Sequence, residues 1–141
     1  MPALGICLLG GFELHGTVPS LQTYYVGFDV SRPPFDDPRV RQAFALATDR
    51  HMLAHVAMRG HEFPATGGFV PVGMPGHAAG ISLPYDPGRA RRLLAEAGYR
   101  SGCGFPVVEA LGARDRQPLS SSLQAQWREN LEVEIHWELL E

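Results

Sequence analysis

The chain has 141 residues, 45% of them apolar and 19% charged, with a formal net charge of −3. That is one domain's worth of sequence, with apolar content for a modest core and too little net charge for a disordered tail. A pI near 6.0 gives no electrostatic ground for binding nucleic acid or an anionic membrane surface, and no run approaches the ~20 apolar residues of a membrane span.

The opening MPALGICLLGGF is apolar but lacks the basic start of an export signal, and bulky Ile6 before Cys7 makes a poor lipoprotein processing site. Residues 5–14 predict a strand with a bend at Gly10-Gly11. Cys7 and Cys103 are the two cysteines. A disulfide needs Cα atoms within about 7 Å, and the pair is read as free thiols.

Thr23–Val30, TYYVGFDV, is rich in β-formers and predicts a strand. Alternation sends Tyr24, Val26 and Phe28 to one side and Tyr25, Gly27 and Asp29 to the other. Next comes Arg32–Arg50, RPPFDDPRVRQAFALATDR. Pro33 and Pro34 predict an extended corner, Asp37 a helix cap, and Pro38 the first helical position. Val40, Ala43, Phe44 and Ala47 share one face at helical spacing. The helix is expected to run to Arg59, with a break near Thr48–Asp49, an Asp49–Arg50 ion pair, and Gly60 as a left-handed stop.

Residues 61–84 show no periodicity, and many of the chain's 16 Gly and 12 Pro fall around them. They predict a long ordered loop, pinned by Phe63, Phe69, Val70 and Met74. Asp86-Pro87 repeats the cap-then-proline device, with Ala90, Leu93, Leu94 and Ala97 as a buried stripe and Gly98 as the stop. Arg89, Arg91 and Arg92 beside Glu96 read as a solvated face. Phe105–Leu111 predicts a strand and Pro118–Leu131 a helix with Leu119, Leu123, Trp127 and Leu131 inward. Val133–Leu139 predicts a second strand, and the three together a right-handed βαβ unit with parallel strands.

The chemistry-bearing residues form no catalytic set. His51 and His55 in HMLAH are four apart, but Met52 stands where a zinc protease needs glutamate, and His61, Glu62 and His77 join them only through tertiary structure. Packing or surface histidines, with no metal, is the plainer reading. Ser120–Ser122 lack a nucleophile elbow and sit where serines bond helix-start backbone. Asp36, Asp37 and Asp49 resemble paired acids, yet Asp37 is better used as a cap. No glycine-rich phosphate loop occurs. Trp127 and Trp137 read as core.

The run PPFDDPRVRQAFALATDR resembles the signature of the family 5 extracellular solute-binding proteins, the peptide, dipeptide and nickel receptors of ABC importers. Gly60 with Pro64–Ala65, the loop from Pro71, and YDPGRARRLLAEAGY at Tyr85–Tyr99 follow in the family's order. LQAQWRENLEVEIHWELLE closes the chain and resembles the family's Q-x-x-W-x-x-N-L-G-I-x-V. Several ordered motifs make a specific signal where one alone is weak. The resemblance spans residues 23–141 and leaves 1–22 as a separate N-terminal segment.

This resemblance implies an α/β fold: a mixed, three-layer-like lobe fragment of the periplasmic-binding-protein type II fold, with a C-terminal βαβ unit. It implies a non-catalytic function without cofactor, in which a peptide or small polar solute is captured between lobes that close by a hinge and is passed to an ABC permease. It implies an extracellular or periplasmic location, although the visible sequence carries no signal peptide and so leaves a cytoplasmic one open. Tyr25, Gly27 and Asp29 become candidate ligand contacts, because the family's matching strand runs beside the cleft; the plain alternative is the outward face of an ordinary strand. Gly27 leaves room for a ligand backbone. The family usually places Asn where this chain has Asp29. The resemblance covers part of one lobe, so the isolated chain is expected to bind oligopeptides weakly or not at all. An unpaired sheet edge suits a homodimer. A second reading is a ligand-sensing domain of a cytosolic transcription regulator, because the LLGGFEL opening resembles the first strand of antibiotic-regulator winged helices.

Overall fold

The computed structural model describes residues 4–9, 12–17, 23–57 and 63–140. The elements in chain order are β1 (Leu4–Leu9), β2 (Phe12–Thr17), α1 (Pro38–Leu46), α2 (Arg50–Met52), α3 (Pro87–Glu96), β3 (Val108–Ala113), α4 (Gln117–Leu131) and β4 (Ile135–Leu140). β1 and β2 are two antiparallel strands, Leu4 opposite Thr17 through Leu9 opposite Phe12, where the sequence predicts one. The Gly10-Gly11 bend, the Cys7 thiol and the Gly60 stop lie outside the described residues or side chains.

α1 begins as its sequence dictates: the Asp37 carboxylate accepts from the Arg39 amide at 2.8 Å, and Pro38 takes the first helical position. Val40, Ala43, Phe44 and Ala47 are buried, and Leu46 joins them. The two arginines beside this face satisfy carbonyls. Arg41 Nη1 donates to Phe35 O at 2.5 Å and Asp36 O at 3.0 Å, and Arg39 Nη1 donates to Glu96 O, at the end of α3, at 2.8 Å. The proline corner is turned rather than extended: the Pro33–Pro34 peptide is cis, and Asp36 N donates to Arg32 O at 3.2 Å.

The helix breaks at Ala47–Asp49, as expected, and resumes as α2, which passes into a π-helical turn over Leu53–Ala57. The break is held by α4, 77 to 83 residues away in sequence. Gln126 Oε1 accepts from Asp49 N at 2.7 Å, Trp127 Nε1 donates to Thr48 Oγ1 at 3.0 Å, and Asn130 Nδ2 donates to Ala47 O at 2.9 Å. These buried polar side chains replace helical partners that the interruption removes. Asp49 is used differently from the predicted ion pair: its carboxylate caps α2 by accepting from Met52 N at 3.0 Å, and Arg50 donates to Leu83 O at 3.0 Å.

α3 carries the second cap, Asp86 accepting from Arg89 N at 2.8 Å. It ends in a Schellman turn: Tyr99 N donates to Leu94 O at 2.9 Å, Gly98 N donates to Ala95 O at 3.0 Å, and Gly98 has φ +100°. α3 packs between α1 and α4 and buries Ala90 and Leu94, while Arg89, Arg91 and Arg92 stay exposed. The βαβ unit forms with parallel β3 and β4, Val108 opposite Ile135. β3 starts three residues later than Phe105, because that ring is drawn into the core against Phe35, Phe44 and Tyr99, with centroids 6.3, 5.7 and 5.1 Å away. Leu123, Trp127 and Leu131 of α4, with Val133 and Ile135, complete the core, and Trp137 stacks on Trp127 at 6.3 Å.

Two further expectations fail. Thr23–Asp29 forms no regular secondary structure and pairs with no strand among the described residues, since β-forming side chains make a ladder only where a partner strand lies alongside. Phe63, Phe69 and Met74 do not pin the long loop; all three are exposed. Polar contacts hold it instead: Ser82 N to Thr66 O at 3.2 Å, His77 Nδ1 to Val70 O at 2.8 Å, and Asp86 N to Leu46 O at 2.9 Å.

Candidate functional site

The segment before the proline turn is anchored to the rest of the molecule at Tyr24 and Phe28, and Tyr25, Val26 and Gly27 between them are exposed. Phe28 packs against Phe35 with the rings tilted at 34° and centroids 4.7 Å apart, and meets Phe44 edge-on at 5.9 Å, which fixes the segment to the core. Tyr24 is half-buried beneath the Arg116 guanidinium, 4.5 Å above its ring. Val26 departs from this pattern and is exposed.

The outer side carries the three residues singled out by sequence. Tyr25 is 73% exposed, yet its ring is placed, edge-on to Phe69 at 5.4 Å and 61°. A side chain at Gly27 would meet nothing within 4 Å, so the backbone there is open to an incoming molecule. Asp29 is exposed but already engaged: its carboxylate accepts from Ser31 N at 3.0 Å and Ser31 Oγ at 2.6 Å, and pairs with Arg32 Nε at 3.1 Å. The Ser31 hydroxyl, ahead of the Ser31 amide and Arg32, holds the Asp29 carboxyl below its ordinary range. Tyr25 and Gly27 thus share a surface, while Asp29 closes a turn at its end.

The sequence missed the second wall of this surface. Thr23 Oγ1 donates to Phe69 O at 2.8 Å, so the long loop is tied to the segment two residues before Tyr25. Phe69 was legible as an isolated aromatic in a loop, a pattern that carries no direction.

The remaining candidates do not assemble. His51 and His55 are exposed, and among the described residues no group of three or more His, Cys, Asp or Glu is placed to hold a metal. His61 and Glu62 lie outside the described residues. Ser120 is buried against Gly112 in the α4–β3 packing. Among the described residues, no helix is long and apolar enough to cross a membrane.

Comparison with known proteins agrees with this architecture. The profile of the bacterial extracellular solute-binding proteins, family 5, middle region, matches residues 10–138. The glutathione-binding protein GsiB of Salmonella typhimurium is 43% identical over 84 residues, covering 60% of this chain and 16% of that protein, and the Escherichia coli K12 protein matches to the same extent. The Escherichia coli murein tripeptide binding protein MppA superposes with a TM-score of 0.74 at 26% identity, covering 87% of this chain and 25% of its own. Burkholderia pseudomallei OppA gives 0.72 at 28%, covering 87% and 26%. A periplasmic oligopeptide-binding protein from Borrelia burgdorferi gives 0.71 at 28%, covering 80% and 23%. The chain therefore spans about a quarter or less of these proteins, and none of them lends support to the regulator reading. The chain belongs to the family 5 bacterial extracellular solute-binding proteins and carries part of their periplasmic-binding-protein type II fold.

Proposed function

We propose that this chain supplies one wall of a non-catalytic binding cleft for a peptide or small peptide-like solute, in a receptor that works outside the cytoplasmic membrane and hands its cargo to an ABC permease. The observation that carries this reading is the outer side of Tyr25–Gly27: an ordered aromatic edge beside backbone with open space above it, mounted on a rigid core. Such a surface suits an extended backbone, which lies along Gly27 while a side chain meets the aromatic edge. The names of the relatives, which bind glutathione, a murein tripeptide and oligopeptides, support the same ligand class.

One exposed face cannot enclose a ligand in the way a complete pocket does. The affinity of this chain alone is accordingly expected near millimolar, about −4 kcal/mol. Titration with glutathione, trialanine and a neutral sugar tests the class. Weak saturable binding of the two peptides but not the sugar supports the reading, and an equal response to all three, or peptide binding already at micromolar affinity, contradicts it.

A further inference from the structure

We propose that His77 is the positioning residue for this surface: its ring locks the loop that presents Phe69 to Tyr25. The inference rests on reading the Tyr25 side as ligand-facing. The middle of the loop has little apolar anchoring: Phe63, Phe69, Val72 and Met74 are all exposed, and Leu83 packs on the core only at the loop's far end. What it has instead is one half-buried imidazole. His77 Nδ1 lies 2.8 Å from Val70 O. A carbonyl only accepts, so Nδ1 carries the proton and donates.

The other face of the ring is fixed by a missing side chain. Gly67 is buried, and a methyl there would overlap the imidazole, falling 2.7 Å from Nε2 and 2.8 Å from Nδ1. Glycine at 67 is therefore the seat on which His77 rests. The Ser82 N to Thr66 O bond at 3.2 Å closes the neck of the loop beside that seat. The imidazole thus sets the carbonyl of residue 70, and the adjoining carbonyl of Phe69 receives the Thr23 hydroxyl at 2.8 Å. Two consecutive carbonyls, one held from each side, fix the backbone that carries the Phe69 ring to its 5.4 Å edge contact with Tyr25.

The test needs no ligand, so its failure is distinguishable from failure of the binding reading. Cross-ring nuclear Overhauser contacts between Tyr25 and Phe69 are measured in the intact chain and in two variants. His77→Asn keeps a donor in place of Nδ1 and is expected to retain the contacts. His77→Phe keeps a ring on Gly67 but cannot donate, and is expected to lose them while the buried Phe44–Trp127 contacts persist. Retention of the Tyr25–Phe69 contacts in the Phe variant, or their loss in the Asn variant, overturns the proposal.

Discussion

The indole Nε1 of Trp127 donates to Thr48 Oγ1 at 3.0 Å, joining the C-terminal helix to a break in the first helix across 79 residues of sequence. Thr48 relays the interaction, because its hydroxyl donates to Phe44 O at 2.7 Å. Gln126 and Asn130 flank the indole and bond the same interruption. The segment that best identifies the family and the stretch Gln126–Asn130 of α4 are therefore two halves of one joint. Thr48→Val strands the Trp127 N–H in a site only 3% exposed, which should cost about 1–3 kcal/mol. Urea unfolding should show a lower midpoint at unchanged slope.

Phe44 joins the joint to the segment before the proline turn, since its ring meets Phe28, Phe35, Phe105 and Trp127. Phe44→Ala should therefore destabilise by about 3–5 kcal/mol, at the upper end for a core truncation. Chemical denaturation checks this, and a loss below about 1 kcal/mol would mean the aromatic cluster is not the core of the unit.

Glu132 ends α4 in the left-handed region, φ +58°, at the place where the family pattern has glycine. A side chain there is strained by about 1–2 kcal/mol, of which glycine returns part through greater freedom in the unfolded chain. Glu132→Gly should thus stabilise by about 0.5–1 kcal/mol. Gly102 packs against the same backbone, where a methyl would overlap the Glu132 carbonyl. Gly102→Ala should lower the thermal midpoint where Glu132→Gly raises it.

Asp37 is held below its ordinary value of 3.8, first by the Arg39 side chain, then by the Arg39 amide. Its folded value is depressed, so its stabilisation is fully present above the unfolded value and is lost as pH falls through the folded one. Asp37→Ala should lower the thermal midpoint at pH 7 and flatten the acid limb below pH 3.8. An unchanged acid limb would show that the carboxylate's bonds to the Arg39 amide and guanidinium contribute nothing to the fold.

Local structure was legible wherever one residue type had one use. Asp37-Pro38 and Asp86-Pro87 read as caps, Gly98 as a helix stop, and the alternation of Val133, Ile135 and Trp137 as a strand face. What failed depends on a partner distant in sequence. Thr23–Val30 has strand composition, but no strand lies alongside it among the described residues. The side-chain amides of Gln126 and Asn130 are spent on contacts 77 and 83 residues away that no spacing rule announces. At the candidate site, alternation and resemblance point to Tyr25 and Gly27, and both are exposed, although Val26 between them is exposed as well. Neither signal points to Phe69, because its loop is ordered by His77 on Gly67 rather than by any periodic pattern.

The central claim is that the Tyr25–Gly27 side faces the ligand. Backbone chemical-shift mapping of the isotopically labelled chain during titration with glutathione tests it most directly. The account predicts perturbations centred on Tyr25, Val26, Gly27 and Phe69, abolished by Gly27→Trp, which fills the open space without touching the core. Perturbations centred on α3 or on the β3–β4 sheet, or a titration untouched by Gly27→Trp, would contradict it.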